Sequence, residues 1–159
     1  MHTHTHQHKV HQRGQSIIEV LIATMVVVMV LTAIAGGLSY SIKNTAESKY
    51  RTIGAVKAQE AVEVFRRERN LLGWESFVDT VVPGATYCFN TLPSSTADFS
   101  TFPTTTCTEG VPESGTEFTR QVEVTTHSPT EIRIEVTVWW YDGDEQREVM
   151  ISQDFRQYN

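Results

Sequence analysis

The chain has 159 residues, of which 40% are hydrophobic and 20% are charged, and its formal net charge at pH 7 is −6. This length predicts one globular domain. From position 76 onward, four basic and 13 acidic residues give a balance of −9. So acidic a region argues against broad electrostatic binding to nucleic acid, because phosphate contacts require clustered cations.

A short basic segment, residues 1–14, precedes an apolar run. It includes Lys9, Arg13 and five of the six histidines. Cations before the run favour a cytoplasmic N-terminus. The alternating His-Thr pattern suggests metal binding, but a leader that is removed, or an engineered tag, explains it more simply.

Residues 17–38 are the only apolar run of membrane length, and Glu19 is the one charge within it. At about 1.5 Å per residue, a helix of this length spans roughly 33 Å, enough to cross a bilayer. An unpaired carboxylate at that depth is expensive, so Glu19 is expected to have a partner. A secretory signal peptide would have a shorter apolar region, and a plain signal anchor gives no reason for the glutamate.

Residues 14–19, which read GQSIIE, resemble the class III signal of type IV prepilins. The resemblance implies that residues 1–14 are a leader, cleaved after Gly14 by a membrane-embedded prepilin peptidase, and that the new amine on Gln15 is methylated. The family most often has phenylalanine at this first mature position, a difference that bears on methylation more than on cleavage. The resemblance also implies that Glu19 neutralises the N-terminal amine of a neighbouring subunit, and each of these two buried charges alone would be costly.

The resemblance therefore implies a structural subunit, major or minor, of a type IV pilus. Its expected partners are other pilin subunits, the prepilin peptidase and the pilus assembly machinery. It would be single-pass in the cytoplasmic membrane, with an extracytoplasmic head, before it joins an extracellular pilus. Two alternatives stay open: a pseudopilin of a type II secretion system, and a non-polymerising, membrane-anchored extracellular adhesin or binding module.

No catalytic motif accompanies this signal. The sequence has neither a phosphate-cradling glycine loop nor a Gly-x-Ser-x-Gly elbow. We therefore predict that the protein is not an enzyme and that it uses no cofactor or metal. Whether the pilus serves adhesion, twitching motility or DNA uptake stays open.

A helical pattern continues beyond the apolar run, which predicts one long N-terminal helix over residues 15–72. Its apolar stripe, at 3.6-residue spacing, is expected to pack on a sheet. The stripe consists of Ala46, Tyr50, Ile53, Ala61, Val64 and Leu71. Lys57 and Glu68 interrupt it, Gly36-Gly37 suggests a hinge, and Gly73 suits a helix stop.

Residues 73–159 are predicted to form an extracellular β-sheet head. A short strand is expected at 86–89, and residues 131–140 alternate strictly between apolar and other side chains. Asp142-Gly143 is a strong hairpin signal, so this strand and its neighbours predict a three-stranded antiparallel meander. With the long helix as cover, the predicted fold class is α+β, which is also the layout of pilins.

Cys88 and Cys107 are the only cysteines. In an exported domain the pair predicts one disulfide, whereas a zinc site would need more ligands than His127 adds. More than half of positions 91–108 are serine or threonine, which predicts a surface loop closed at its base by the disulfide.

Two aromatic residues are candidates for a surface contact. Trp139 and Tyr141 fall on the polar face of their predicted strand, where exposed rings can mark a binding surface. Asp142, Asp144 and Glu145 follow them. The three acids suggest calcium, but they lack the other ligands of a calcium loop, so an acidic hairpin tip is the better interpretation.

Overall fold

The computed structural model describes residues 15–108 and 111–157. The elements in chain order are α1 (Gln15–Leu72), α2 (Trp74–Thr80), β1 (Thr86–Cys88), α3 (Thr96–Ser100), β2 (Thr119–Ser128), β3 (Glu131–Asp142) and β4 (Glu145–Arg156). The chain divides into two compact units between Ala46 and Glu47, inside α1. The part of α1 that follows this boundary therefore belongs to the same unit as the sheet.

The four strands form one antiparallel sheet in the order β1-β2-β3-β4. The predicted meander is confirmed as β2, β3 and β4. Its second turn lies where the Asp-Gly signal predicts, with Asp142 paired with Glu145 and Gly143 at a φ of +64°. β1 adds a fourth strand at the edge, with Tyr87 opposite Val122. Together with the long helix, this sheet confirms the predicted α+β fold class.

α1 is one unbroken helix of 58 residues. It continues through Gly36 and Gly37, where the sequence suggests a hinge. It ends as predicted, because Gly73 adopts a φ of +77° and donates its N–H to the carbonyl of Arg69 at 3.1 Å. α2 follows at once, and this single short element has too few residues for a periodic pattern to have predicted it.

The core of the second unit lies between α1 and one face of the sheet. Phe65 is fully buried at its centre, with its ring centroid 5.4 Å from that of Phe89 and 5.3 Å from that of Phe99. Alternate residues of β2 and β3 supply the opposite wall, namely Val122, Val124, Ile132, Ile134, Val136 and Val138. The prediction that the long helix covers the sheet is therefore confirmed.

The predicted stripe on α1 is correct in its middle and wrong at both ends, where Ala46 and Leu71 are exposed. Val64 is buried as expected, but Leu71 is 66% exposed. The inward direction is set by Ala58, Phe65 and Leu72, which follow one another at intervals of nearly two full turns of helix. In the last turn of α1, Leu72 therefore faces the core and Leu71 faces away from it.

Two charged residues interrupt the stripe: Lys57 lies at the edge of the core, and Glu68 lies inside it. The ammonium of Lys57 is 2.6 Å from the carboxylate of Glu113. Glu68 is fully buried, and its Oε1 accepts a hydrogen bond from Nε of Arg67 at 2.8 Å. Because each charge has a counter-ion, the helix keeps its packed face despite the polar positions.

Gly54 allows α1 to approach β3 closely. A Cβ at this position would lie 3.1 Å from Cζ3 of Trp140 and 3.7 Å from Cγ2 of Val149. Trp140 is only 2% exposed, and its ring packs against Tyr50 and Phe118 at centroid distances of 6.4 and 5.5 Å. The missing side chain therefore makes room for the indole, although glycine costs a helix about 1 kcal/mol relative to alanine.

Replacing Gly54 by leucine is expected to lower the free energy of unfolding by about 1–3 kcal/mol, because the added side chain must displace the Trp140 ring from a packed core. Denaturant unfolding of the full chain in detergent, followed by tryptophan fluorescence, measures the change. Gly37→Leu is the matched control, since no atom lies within 4 Å of a Cβ built there. Equal unfolding midpoints for the two variants would contradict the prediction.

Candidate assembly segment and head surface

Glu19 lies one turn into α1, among apolar side chains that face outward. The side chains around it are more than half exposed, including Ile18 at 61% and Ile22 at 59%. Within the part of the chain that the structure describes, the Glu19 carboxylate takes part in no hydrogen bond or ion pair. Glu19 thus places a charge, without a partner among the described residues, on an exposed apolar surface.

The other polar side chains in the apolar run satisfy themselves within the helix. Thr24 donates its hydroxyl to the carbonyl of Leu21 at 2.9 Å, and Thr32 donates to that of Val28 at 2.8 Å. Such back-bonding is the usual way for a hydroxyl to enter an apolar environment. Among the polar side chains of residues 17–38, Glu19 is therefore the one that needs a hydrogen-bonding or ionic partner from outside this segment.

α1 is long and apolar enough to cross a membrane, by its length and composition. Its most apolar stretch has a mean hydropathy of 2.7, and none of that stretch is buried within the protein. The helix that carries Glu19 is thus a candidate membrane anchor near the N-terminus.

The predicted processing site lies at the edge of the described chain. The predicted leader, with Gly14, is outside the described residues, and Gln15 is the first residue of α1. Cleavage after Gly14 and methylation of the Gln15 amine stay predictions.

The predicted disulfide is confirmed. Cys88, at the end of β1, is bonded to Cys107 across a sequence separation of 19 residues. By the chain-entropy relation, closing a loop of that length in the unfolded chain is worth about 3 kcal/mol. Cys107 is itself held to the sheet, because its N–H donates to the side-chain carbonyl of Gln121 at 3.1 Å.

The segment inside the disulfide is more structured than the predicted loop. It contains the one-turn helix α3, whose cap Ser95 accepts a hydrogen bond from the N–H of Asp98. Phe99 then packs its ring edge-on against Phe65 at 5.3 Å. The Ser-x-x-Asp pattern at 95–98 is the sequence signal that was available for this turn. Hydrogen bonds from Ser94 and Ser95 also lower the pKa of the Asp98 carboxyl.

An ion cluster around a buried arginine, which the sequence did not predict, joins α1 to the sheet. Arg120 on β2 is 1% exposed, although it lies on the core face of the sheet between apolar neighbours. Its guanidinium donates to the carbonyls of Phe89 at 2.9 Å and Lys57 at 2.8 Å. It also lies 3.2 Å from Glu60 and 3.6 Å from Glu113. Three other chain segments thus converge on this cation of β2: α1, the residue after β1, and the loop that contains Glu113.

The two aromatic residues proposed as surface contacts differ in exposure. Tyr141 is 45% exposed, but Trp139 is only 8% exposed, so the expectation of an open Trp139 ring is wrong. Trp139 stands on a central strand, with Thr119 opposite on one side and Glu148 on the other. Pairing with β2 ends at Trp139, so Tyr141 is flanked by β4 alone. A binding role for Tyr141 stays a prediction.

The described residues contain no group of three or more His, Cys, Asp or Glu side chains arranged to hold a metal ion. The acidic hairpin tip, at Asp142 to Glu145, is the exposed turn between β3 and β4.

Comparison of the chain with protein-family models, with curated proteins and with solved structures gives no match. Its class therefore follows from the architecture alone. It is an α+β protein with a long N-terminal apolar helix, a small antiparallel sheet and a disulfide, an arrangement compatible with a pilin-like fold.

Proposed function

We propose that the chain is a structural subunit, major or minor, of a type IV pilus. It enters the membrane through residues 17–38 and then polymerises through the same segment. Before assembly the head lies outside the cytoplasmic membrane, where oxidising conditions favour a disulfide such as Cys88–Cys107. A prepilin peptidase and the pilus assembly machinery are its processing partners.

The observation that carries the proposal is the state of Glu19. Its carboxylate stands on the most apolar stretch of the molecule and has no partner among the described residues. A carboxylate in such surroundings requires a cation, because desolvating an unpaired charge costs several times more than a hydrogen bond gives back.

A second copy of the chain supplies that cation. Cleavage after Gly14 creates an ammonium on Gln15, close to Glu19 along the same apolar helix. When the apolar segments of two copies pack together, the carboxylate of one copy and the new amine of the other satisfy each other. Processing is therefore a condition of assembly, since the partner of Glu19 does not exist in the uncleaved chain.

Intact-mass analysis and N-terminal sequencing of protein isolated from cells that contain a prepilin peptidase test this proposal. The expected product begins at Gln15, with or without one added methyl group, and appears in the sheared-filament fraction. Gly14→Leu should block cleavage, whereas Gly37→Leu, the same change further along the chain, should leave it intact. A wild-type product that begins at Met1 in such cells would rule the proposal out.

A further inference from the structure

A groove of about 450 Å³ opens at the end of the sheet beside α1. Three aromatic side chains line it, Tyr50 from α1 and Trp140 and Tyr141 from β3. Two carboxylates, those of Glu117 and Asp142, stand at its rim. The groove thus combines π-faces with negative charge.

Both carboxylates influence the hydroxyl of Tyr50, which lines the groove. A hydrogen bond to Glu117, followed by the negative charge of Glu117, raises the pKa of the Tyr50 hydroxyl, and the charge of Asp142 raises it further. Neither carboxylate forms an ion pair with any described residue. The groove therefore carries two carboxylates that have no cation paired with them among the described residues.

An ammonium group matches this lining. Cations bind over aromatic faces within about 6 Å of the ring centre, and carboxylates at the rim add charge-assisted hydrogen bonds. The volume lies within the range of about 300–1,000 Å³ that accommodates a small ligand, so a lysine side chain fits inside.

The protein carries unpaired lysines of its own on α1. Between positions 43 and 69 the helix has seven basic and four acidic residues, the opposite balance to the head. Most of these cations have partners within the chain. Lys43 and Lys49 do not: both are exposed, and neither forms a hydrogen bond or ion pair with a described residue.

We propose that the groove at Tyr50, Glu117 and Asp142 receives a lysine from residues 43–49 of a second copy of this chain. The inference rests on the proposed function, since it concerns copies that lie side by side. Cleavage after Gly14 removes Lys9 and Arg13 and takes the net charge from −6 to −8, so assembled copies repel unless acidic and basic surfaces are matched. The proposed contact places an acidic surface of one copy against a basic surface of the next, and it fixes how far neighbouring heads are displaced along each other.

Zero-length carbodiimide coupling in cells that express two versions of the full chain tests the contact. One version carries Lys43→Arg and Lys49→Arg; the other carries a longer tag with Glu117→Gln and Asp142→Asn. A bond between lysine 43 or 49 and acid 117 or 142 can then form only between copies. The expected result is a mixed dimer with that bond, mapped by mass spectrometry. Its absence overturns the inference if the internal Lys57–Glu113 pair, 2.6 Å apart, is coupled in the same sample.

Charge reversal gives a second measurement. Glu117→Lys with Asp142→Lys should lower the recovery of cross-linked or sheared assemblies about tenfold or more, and Lys43→Glu with Lys49→Glu should do the same. Combining all four changes should restore recovery. The control is Asp79→Lys, an exposed acid in the last turn of α2, where a cation is favoured by the helix dipole.

The two proposals fail in different ways. Sheared filaments that form equally well with the reversed groove overturn the inference and leave the pilus subunit intact. Mixed dimers in membranes that never yield filaments support the groove contact and count against the pilus subunit.

Discussion

Replacing Glu19 by alanine is expected to abolish recovery of the protein in sheared filaments while the chain stays in the membrane. The substitution removes the only charge in residues 17–38 and so makes the segment more apolar. Insertion therefore persists. Assembly fails because the amine of the neighbouring copy enters the packed apolar segment without a counter-ion.

The size of the effect follows from the cost of breaking a buried ion pair on one side, about 3–5 kcal/mol. At about 1.4 kcal/mol per factor of ten, each contact between copies becomes roughly 10²- to 4 × 10³-fold weaker. Because every subunit of a filament would make this contact, the loss would be repeated at each one. Quantitative blotting of sheared and membrane fractions measures both the loss of assembly and the retention of the anchor.

The matched control is Glu63→Ala, which removes an exposed glutamate from the same helix. Its side chain is 60% exposed and its ion pair with Arg66 is at the surface, so the expected cost is below about 1 kcal/mol. Normal filaments with Glu19→Ala, or equal losses with both variants, would contradict the role assigned to the Glu19 carboxylate. An anchored module that does not polymerise would instead keep its surface function in the Glu19→Ala variant and would yield no sheared filaments even from the wild type.

The parts of this fold that the sequence predicts are those with short-range signals. The alternation over 131–140 predicts β3, and the Asp-Gly pair predicts the turn at Gly143. Gly73 marks the end of α1 at a residue that adopts a φ of +77°. Each of these signals acts between residues that are close along the chain, so local sterics and periodicity are sufficient to predict it.

The parts that the sequence does not predict depend on partners that are distant along the chain. Arg120 is a charged residue near the start of β2, yet it is buried, and Glu60 and Glu113 approach it from two other segments. Trp139 is covered because strands pair on both sides of it. The groove brings Tyr50 of α1 together with Asp142 at the far end of β3. No periodic pattern contains such contacts.

Replacing Arg120 by methionine is expected to lower the free energy of unfolding by about 2–4 kcal/mol, because hydrogen bonds from a charged group are worth about 1.5–3 kcal/mol each and one of its acceptors, Glu60, is half-exposed. The guanidinium holds the carbonyls of Phe89 and Lys57 and two carboxylates, and it is 1% exposed. Methionine fills similar space, so the loss comes from the Phe89 carbonyl and the Glu60 carboxylate, which lose their donor. The Lys57 carbonyl keeps its hydrogen bond within α1, and Glu113 keeps the ammonium of Lys57. Arg120→Lys should recover only part of this stability, because an ammonium cannot reach the same acceptors as a planar fork. Denaturant unfolding of the full chain in detergent measures both variants.

Arg133→Met is the matched control, an arginine on the neighbouring strand whose side chain is 38% exposed. Its pair with Asp154 lowers the pKa of that carboxyl. The stabilisation by this pair is therefore present above the ordinary carboxyl range and is lost as pH falls through the lowered pKa. Near pH 7 the pair is intact, and its removal should cost much less than the removal of Arg120 because the pair is partly exposed to solvent. If Arg120→Met were no more destabilising than this control, the prediction would be wrong. The contacts of Arg120 would then stabilise the packing of α1 against β2 no more than an exposed ion pair does.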